Sequence, residues 1–375
     1  MVGGRYKTSI EAAREIITKL DSKITETSIG NPFFGDPDVI AFPLSKESFR
    51  NINTDHFEGS RKIAFVDGGN LEIIGAPNFS VQLNRVYACV WKNNQRQSIL
   101  HVPRIEFYSA ISSTIQDDKI IYETIIAPSD PRHSLLLPDQ QDLSFDSFDR
   151  TITNGMQRAD IQKVASIARN FAEWKFASIV AEALERDDIL VMDGSLQTQF
   201  RNEWKYFRAL EDVTKNCGVI LTSLSKTSTL FTSTGLSLLG AVNQLSKESN
   251  VFGEWYHPIF DSHKHRIFGL VVKLKSISEW VFRLDVERDQ FLAMGNEELD
   301  EVLGVFCQNA SDPTFPGYPY GSIDADLFSK VTESELPYYR ALLLAQICDL
   351  NRLDKFRYHI RASDAHDILN SMTVG

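Results

Sequence analysis

The spacing of hydrophobic positions predicts a chain in which long helices alternate with short buried strands. Residues 9–28 carry apolar side chains at helical spacing, with Ser9 as a suitable N-cap and Glu11 in the first turn. Residues 154–186 lack proline and keep their apolar positions on one helical face, which predicts the longest helix of the chain. Further helices are predicted at 197–216, 324–332, 336–350 and 363–371.

Short apolar runs between these helices predict the strands of a sheet. Residues 62–91 place β-branched and aromatic side chains around two adjacent glycines, a pattern typical of a strand, a glycine turn and a second strand. Residues 188–196 and 218–226 are continuous apolar runs, which favour buried strands, and aromatic-rich strand candidates follow within 251–290. Residues 93–150 end in a segment rich in Pro, Asp and Ser, which predicts an inserted hairpin followed by a loop.

The order of these elements predicts an α/β fold, with a mixed sheet flanked by helices, an inserted hairpin and loop region, and C-terminal helices. We expect an N-terminal helix and lead-in over residues 1–59 and a main domain over 60–335 with its insertion at about 93–150. The C-terminal helices, within 336–375, are expected to pack on the same domain. The sequence contains no internal repeat and no low-complexity linker.

Composition indicates a globular protein of a reducing compartment. With 375 residues and 43% hydrophobic content, the chain can fill a sizeable core. It has no uncharged apolar run of about 18 residues, and its N-terminal residues alternate charge with apolar side chains, so neither a membrane span nor a secretory signal is predicted. Its cysteines lie far apart without a C-x-x-C pair, at Cys89, Cys217, Cys307 and Cys348. This usage favours a cytoplasmic location.

The net charge argues mildly against a nucleic-acid ligand. The formal charge is -11, whereas proteins that bind nucleic acid mainly through phosphates usually carry a basic patch or domain. A nuclease can avoid this objection if divalent cations offset clustered carboxylates, or if a partner supplies part of the DNA track. Charge alone therefore leaves the ligand class open.

Two apolar runs end in Asp-Gly, at Asp67 and at Asp193. An Asp at the end of a buried strand is held by rigid backbone, and the following glycine permits a tight turn that leaves room for a ligand. If the two strands are neighbours, both carboxylates could bind one metal. The alternative is that Asp-Gly is common turn chemistry.

Glu173 and Lys226 extend this set of polar candidates. Glu173 lies at the margin of the apolar face of the helix predicted over 154–186, where its carboxylate can look over the sheet or remain solvated. Carboxylates from separate elements are what a two-metal phosphodiesterase needs, because hard cations roughly 4 Å apart take oxygen ligands. Lys226 ends the run 218–226 and could neutralise a phosphate, although an exposed lysine at a strand end is equally ordinary.

The segment 315–326 combines aromatic rings, glycine and proline with two acids. Tyr318 and Tyr320 are candidates for stacking on an unpaired base or for a bond to a phosphate. Either Asp324 or Asp326 could complete a metal site. The alternative is a rigid loop that caps a helix, with Asp324 as the N-cap.

Five landmarks, in this order, resemble the NurA family of DNA-end-processing nucleases. That family has an early strand ending in Asp-Gly-Ser, here FVDGG, and a helix with an internal Glu, here Glu173. A second strand ends in Asp-Gly-Ser-Leu, here ILVMDGSL, the next ends near Ser-Lys, here SLSK, and a late Gly-Tyr-Pro loop is here GYPYGSIDAD. The resemblance spans residues 60–330. Three departures are Gly69 in place of Ser, Gly321 with Ser322 in place of Pro-Leu, and the enlarged insertion at 93–150.

The resemblance implies a fold, a site and partners. It implies an RNase H-like core and dependence on Mn²⁺ or Mg²⁺, with two ions in each site. It also implies a 5′–3′ exonuclease and single-strand endonuclease that acts on single-stranded and double-stranded DNA ends in double-strand-break repair. The expected partner of the homodimer is a hexameric HerA-type ATPase. The implied metal-binding residues are Asp67, Glu173, Asp193 and Asp326, and the implied catalytic set adds Lys226 and Tyr318.

The leading hypothesis is therefore a two-metal DNA nuclease in which a metal-activated water attacks the phosphorus in line. In this hypothesis Lys226 stabilises developing charge and Tyr318 positions the strand. One alternative is a non-catalytic NurA-like adaptor that binds DNA and the ATPase. Another is a metal-dependent phosphohydrolase acting on a small nucleotide.

Overall fold

The computed structural model describes residues 8–25, 28–53 and 61–350, together with residues 352, 354 and 356. The helices are α1 (Ser9–Thr25), α2 (Ile161–Ala165), α3 (Ile167–Glu182), α4 (Glu203–Cys217), α5 (Leu238–Glu248), α6 (Arg288–Ala293), α7 (Asn296–Asn309), α8 (Tyr320–Ser329) and α9 (Leu336–Asp349). The strands are β1 (Pro32–Phe33), β2 (Val39–Ala41), β3 (Arg50–Asn51), β4 (Ile63–Ala76), β5 (Phe79–Lys92), β6 (Gln95–Gln97), β7 (Arg104–Gln116), β8 (Lys119–Pro128), β9 (Ser144–Asp146), β10 (Ile189–Asp193), β11 (Ile220–Ser225), β12 (Phe231–Thr232), β13 (Trp255–Ser262), β14 (Ile267–Lys273) and β15 (Phe282–Glu287).

A large mixed sheet forms the centre of the α/β fold. Its strands follow the order β2-β13-β14-β15-β11-β10-β4-β5-β7-β8-β9, with β3 paired to β13 and β6 paired to β5. Strand β10 runs parallel to both β4 and β11, and the other pairs in the sheet are antiparallel. The short strands β1 and β12 form a separate antiparallel pair. The parallel centre is therefore three strands wide and has antiparallel wings.

Both faces of the central strands are covered by helices. Alternate residues of a strand point to opposite faces. Ala64 and Val66 accordingly belong to the core beneath α3, whereas Ile63 and Phe65 belong to the core beneath α7 and α8. Because both sets are buried, residues 63–66 of β4 form an uninterrupted apolar run, as the sequence pattern indicated.

The two glycines after Asp67 do not form the predicted turn. Strand β4 continues through them, and Gly68 and Gly69 pair with Val86 and Arg85 of β5. The chain reverses only at residues 77–78, between β4 and β5. The prediction was wrong because the long antiparallel strand β5 pairs with the backbone of both glycines, so that β4 continues as a strand through them.

The helix predicted over 154–186 is shorter and broken. It begins at Ile161, where the Asp160 side chain accepts a hydrogen bond from the Gln162 backbone, and it is interrupted at Ser166. At 16 residues, α3 is shorter than the 17-residue α1. The helices predicted at 197–216 and 336–350 correspond to α4 and α9, whereas the helix predicted at 363–371 lies outside the described residues.

The region 93–150 contains the predicted hairpin. Its strands β7 and β8 pair with each other, and β7 also pairs along β5. The hairpin therefore extends the central sheet. In the part of the chain that the structure describes, no helix is long and apolar enough to cross a membrane.

Candidate functional site

Asp67 and Asp193 lie side by side at the end of the parallel centre. Their strands β4 and β10 are neighbours, and Val66 pairs with Met192 immediately before the two acids. Strand β10 ends at Asp193, and Gly194 follows with a φ of +88°, a conformation that favours glycine. The two Asp-Gly sequences thus bring their carboxylates together although only the second one turns the chain.

Lys226 connects three of the predicted acids. The lysine follows β11, the other parallel neighbour of β10. Its Nζ lies 2.6 Å from Asp326 Oδ1, 3.4 Å from Asp193 Oδ1 and 3.9 Å from Asp67 Oδ2. The structure therefore gathers these carboxylates around one ammonium group.

Glu173 approaches the same group of acids from α3, which covers the face of the sheet opposite α8. A β-carbon at Gly68 would overlap the Glu173 carboxylate, so the glycine is what lets the acid come close to β4. Arg169, one helical turn earlier, forms an ion pair with Glu173 and donates a 3.0 Å hydrogen bond to the Gly68 carbonyl. The glutamate is thus a half-buried group held at the site.

Burial and mutual repulsion raise the pKa values of the clustered acids. Desolvation, with the charges of Asp193 and Glu173, raises the pKa of Asp67 to about 8. Desolvation is also the main cause that raises the pKa of Glu173 to about 7, and the pKa of Asp193 is raised for the same reason. The positive charges of Lys226 and Arg169 oppose these shifts. Burial and the neighbouring acids thus favour the protonated forms of these carboxyl groups.

The late segment places its acids in different environments. Asp326 reaches Lys226, whereas Asp324 lies 3.4 Å from Arg96 and turns away from that lysine. Asp324 is also not an N-cap, because α8 begins four residues earlier at Tyr320. Of the two acids that the sequence left open, the structure brings Asp326 to the cluster.

Tyr318 lies beside the acids, but its ring is buried. It is 2% exposed and packs against Phe282 and Phe315, so its faces are not available to stack on a base. Lys226 Nζ lies 6.0 Å from the ring centroid. Burial, together with the charge of Asp193, raises the pKa of the Tyr318 hydroxyl. Tyr320 instead stacks on Trp91, with ring centroids 5.9 Å apart.

Close packing of α8 on β4 requires glycine at positions 69 and 321. A β-carbon at Gly69 would lie 2.6 Å from the Ser329 carbonyl oxygen, and one at Gly321 would overlap the Phe65 ring. Larger residues at either position would push the helix outwards. Since α8 carries Asp326, the two glycines help to set the position of that acid.

A buried ionic group that sequence reasoning missed holds the turn after Asp193. Asp285, fully buried on β15, accepts hydrogen bonds from the Ser195 hydroxyl (3.0 Å) and the Leu196 backbone (3.3 Å). Arg283 pairs with the same carboxylate at 2.7 Å and donates to Ser195 at 3.1 Å. The alternation of polar residues in the β15 sequence was the available signal, but it did not reveal which loop they hold.

A polar cleft of about 250 Å³ opens beside the acids. Asp67, Glu173 and Asp193 line it on one side, together with Arg169. Sequence reasoning assigned no function to Arg169, although its spacing four residues before Glu173 places the two on one face of the helix. The remaining wall comes from α3, the end of β10, the loop that follows it and the first residue of α4, and consists of Asn170, Trp174, Met192, Gly194, Ser195, Gln197, Gln199, Phe200 and Glu203.

A second acidic group lies elsewhere, at the start of α6. Within the described residues, only Glu211, Glu287 and Asp289 form a group in which three potential metal-ligand atoms, here carboxylate oxygens, lie within 4.8 Å of one another. This spacing could hold a metal ion. Arg266 and Lys215 already contact all three acids. These cations balance most of the charge, and we interpret the group as an ionic network that joins α4 to the β15–α6 junction.

Comparisons with known proteins give little guidance. No family model and no curated protein matches the chain. Among solved structures, one chain of Aquifex aeolicus Argonaute is similar over 72% of this chain, with 7% identity and a TM-score of 0.26. A second Argonaute chain from A. aeolicus matches over 73% of this chain, with 8% identity and a TM-score of 0.27. This chain spans 28% of the length of either one. TM-scores this low do not establish a shared fold.

Proposed function

We propose that the protein is a divalent-metal-dependent nuclease of the NurA type, with an RNase H-like core, that hydrolyses phosphodiester bonds at DNA ends. The observation that carries the proposal is the convergence of Asp67, Asp193 and Glu173, from three separate elements, at the end of the parallel strands. Lys226 adds Asp326 to the same group. Carboxylates arranged in this way are the ligand type that Mg²⁺ and Mn²⁺ prefer.

The donor set fits a divalent cation. Its ligand atoms are hard carboxylate oxygens. Burial, together with the charges of neighbouring acids, raises the pKa values of Asp67 and Glu173, and a nearby cation would favour their ionised forms. When bound, one or two such ions would activate water and neutralise charge on the phosphate. Asp67, Glu173, Asp193 and Asp326 would hold them. The wider spacing of these acids, compared with the Glu211 group, accords with mutual repulsion and with the ammonium of Lys226 among them.

The cations of the chain supply the remaining chemistry. Lys226 contacts three carboxylates with a single positive charge. With those carboxylates engaged as metal ligands, its ammonium would be available for a phosphate oxygen. The Tyr318 ring lies 6.0 Å from Lys226 Nζ, and this cation–π contact helps to position the lysine. We assign it no contact with a base, because its ring is covered.

The charge of the whole chain bears on the partners. At -11, the chain offers little positive surface to a long DNA track. We therefore include in the proposal a homodimer that docks on a HerA-type hexameric ATPase, which would supply that track and move DNA to the site. The same proposal includes 5′–3′ exonuclease activity on DNA ends and endonuclease activity on single strands.

Degradation of end-labelled single-stranded and double-stranded DNA tests the proposal. Purified protein is incubated with Mn²⁺, Mg²⁺ or EDTA, alone and with the cognate ATPase, beside Asp193→Asn and the control Asp117→Asn. Asp117 is an exposed hairpin residue with a φ of +47°, which asparagine tolerates. We expect metal-dependent cleavage that falls at least ~100-fold in Asp193→Asn and is unchanged in the control. Absence of cleavage under every condition would refute the nuclease.

One observation favours a second function. Lys226 already lies within 4 Å of three acids, an internal neutralisation that a non-catalytic adaptor could use in place of metal. DNA binding by wild-type protein that is insensitive to EDTA, with no cleavage even beside the ATPase, would identify the adaptor.

A further inference from the structure

Arg169 contacts a different part of the acid cluster from Lys226. The lysine contacts Asp67, Asp193 and Asp326, whereas the arginine pairs with Glu173 and with the Gly68 carbonyl. It lines the cleft, and among the described residues that do so it is the only one with a positive charge. Any anion that enters the cleft therefore meets Arg169.

The hydrogen-bonding capacity of Arg169 is only partly used. Both of its contacts are made by Nη1, and Nε is buried without a partner in the described part of the chain. A guanidinium carries five N–H donors in one plane. A buried unpaired N–H is costly, and such groups call for an explanation such as a bound ion or a catalytic function. The side chain is 22% exposed, so part of the group faces solvent.

Glu203, the fourth acid that lines the cleft, does not need this arginine. Glu203 is buried, and its carboxylate accepts hydrogen bonds from Trp174 Nε1 (2.9 Å) and from the backbones of Gln199 (2.6 Å) and Phe200 (2.9 Å). Those bonds hold the cleft wall. The carboxylate that pairs directly with Arg169 is that of Glu173, which is also an expected metal ligand.

We infer that Arg169 is a second phosphate-binding catalytic residue, on the cleft side of the acids, for the class of phosphodiester substrates that the proposed nuclease takes. This inference rests on the proposed function. With Glu173 engaged as a metal ligand, the planar guanidinium of Arg169 would be free to bind the non-bridging phosphate oxygens, which it fits better than an ammonium does.

The chemistry that it assists is hydrolysis. The oxygen of water bonds to phosphorus, the bond from phosphorus to the leaving sugar oxygen breaks, and that oxygen takes a proton. Arg169 keeps its own protons throughout, because a guanidinium does not deprotonate in proteins. Its contribution is electrostatic and grows as charge develops on the phosphate.

The test compares Arg169→Lys and Arg169→Gln with the control Arg132→Lys, an 86% exposed side chain that pairs with Asp130 in a separate segment. We measure kcat and KM on an end-labelled oligonucleotide at saturating Mn²⁺, the Kd for Mn²⁺ alone, and the Kd for the same oligonucleotide in Ca²⁺. Unfolding temperatures check the fold, and Arg169→Lys carries the test if the glutamine variant does not fold.

We expect kcat to fall about 10-fold to 100-fold in Arg169→Lys and about 100-fold to 1,000-fold in Arg169→Gln. Oligonucleotide affinity should fall as well, and the Kd for Mn²⁺ should stay within about threefold or become tighter because a competing cation is gone. A kcat within about threefold of wild type, or a loss that higher Mn²⁺ restores, would overturn the inference. If the wild-type protein binds the oligonucleotide but does not cleave it, the nuclease proposal alone fails. In that case, an oligonucleotide affinity in Ca²⁺ that is unchanged in Arg169→Gln would overturn the inference that Arg169 binds phosphate.

Discussion

Asp67 shows how a single carboxylate can serve a site at the expense of stability. Its pKa is raised from 3.8 to about 8, so the folded protein holds this proton over a pH range in which the unfolded chain has lost it. The stabilisation from this proton is complete below pH 3.8 and is lost as pH rises to about 8. At alkaline pH the metal-free fold must therefore accommodate an ionised acid next to Asp193 and Glu173.

Asp67→Asn should stabilise the metal-free protein, and increasingly so as pH rises. Asparagine stays neutral and its carbonyl can still accept the 2.7 Å hydrogen bond from the Gly68 backbone. In EDTA we expect an unfolding temperature about 2–6 °C above wild type at pH 9 and little difference at pH 4. Thermal unfolding at pH 4, 7 and 9 checks this, with the exposed Asp117→Asn as control. Parallel curves for wild type and Asp67→Asn would contradict the assigned shift.

Gly68 is a residue whose lack of a side chain has a function. In Gly68→Ala the new β-carbon would lie 2.9 Å from both Cγ and Cδ of Glu173, so the glutamate must swing into the cleft. We expect Mn²⁺ affinity to fall about 10-fold to 100-fold while the fold survives. Calorimetric titration with Mn²⁺ measures the loss. Gly35→Ala is the matched control, because nothing lies within 4 Å of its β-carbon, and equal affinities in the two variants would refute this reading of Gly68.

At the scale of elements, the sequence predicted what depends on local pattern. The apolar runs at β10 and β11 and the amphipathic α4 follow from side-chain spacing, and so did the mixed α/β architecture. The turn at Gly68 and the helix start at residue 154 were wrong because pairing with β5 and capping by Asp160 override local preference. The neighbourhood of Asp67 and Asp193 depends on strand order, which a hydrophobic pattern does not encode. Arg169 was missed for the same reason.

The β10 turn depends on an element that is distant in sequence. Asp285 on β15 holds Ser195 and Leu196, and Ser225 donates a 2.5 Å hydrogen bond to the Gly194 carbonyl. These contacts fix the backbone immediately after Asp193. We therefore regard Asp285 as a positioning residue for that acid.

Ser195→Ala should weaken metal binding without a large loss of stability. It removes the hydroxyl that joins the turn to Asp285 and leaves the buried pair with Arg283 intact. We expect the Kd for Mn²⁺ to rise about 10-fold, and the unfolding temperature to change by about 2 °C or less. Asp285→Asn should weaken Mn²⁺ binding further and cost about 3–5 kcal/mol, because it leaves a buried arginine unpaired. Unchanged Mn²⁺ affinity in Ser195→Ala would show that the turn keeps its conformation without the hydrogen bond to Asp285.

At the scale of the whole molecule, the candidate site joins elements that are far apart in the chain. Asp67 comes from β4, Glu173 from α3 and Asp193 from β10, and Asp326 comes from α8 on the opposite face from α3. A cation shared by these acids would tie both helical layers to the parallel strands. Metal binding should therefore be visible in global unfolding.

A divalent ion should raise the unfolding temperature through this site and not through the ionic network around Glu211. At a free concentration about 100 times the Kd, a ligand that binds only the folded state adds about 2.7 kcal/mol, which corresponds to roughly 3–6 °C here. We expect that rise on replacing EDTA by Mn²⁺, and its loss in Asp193→Asn. Asp289→Asn, the same chemical change in the other acidic group, should keep it, because Arg266 and Lys215 already occupy that group. The reverse pattern would place the metal in the Glu211 network and remove the main support for the nuclease site.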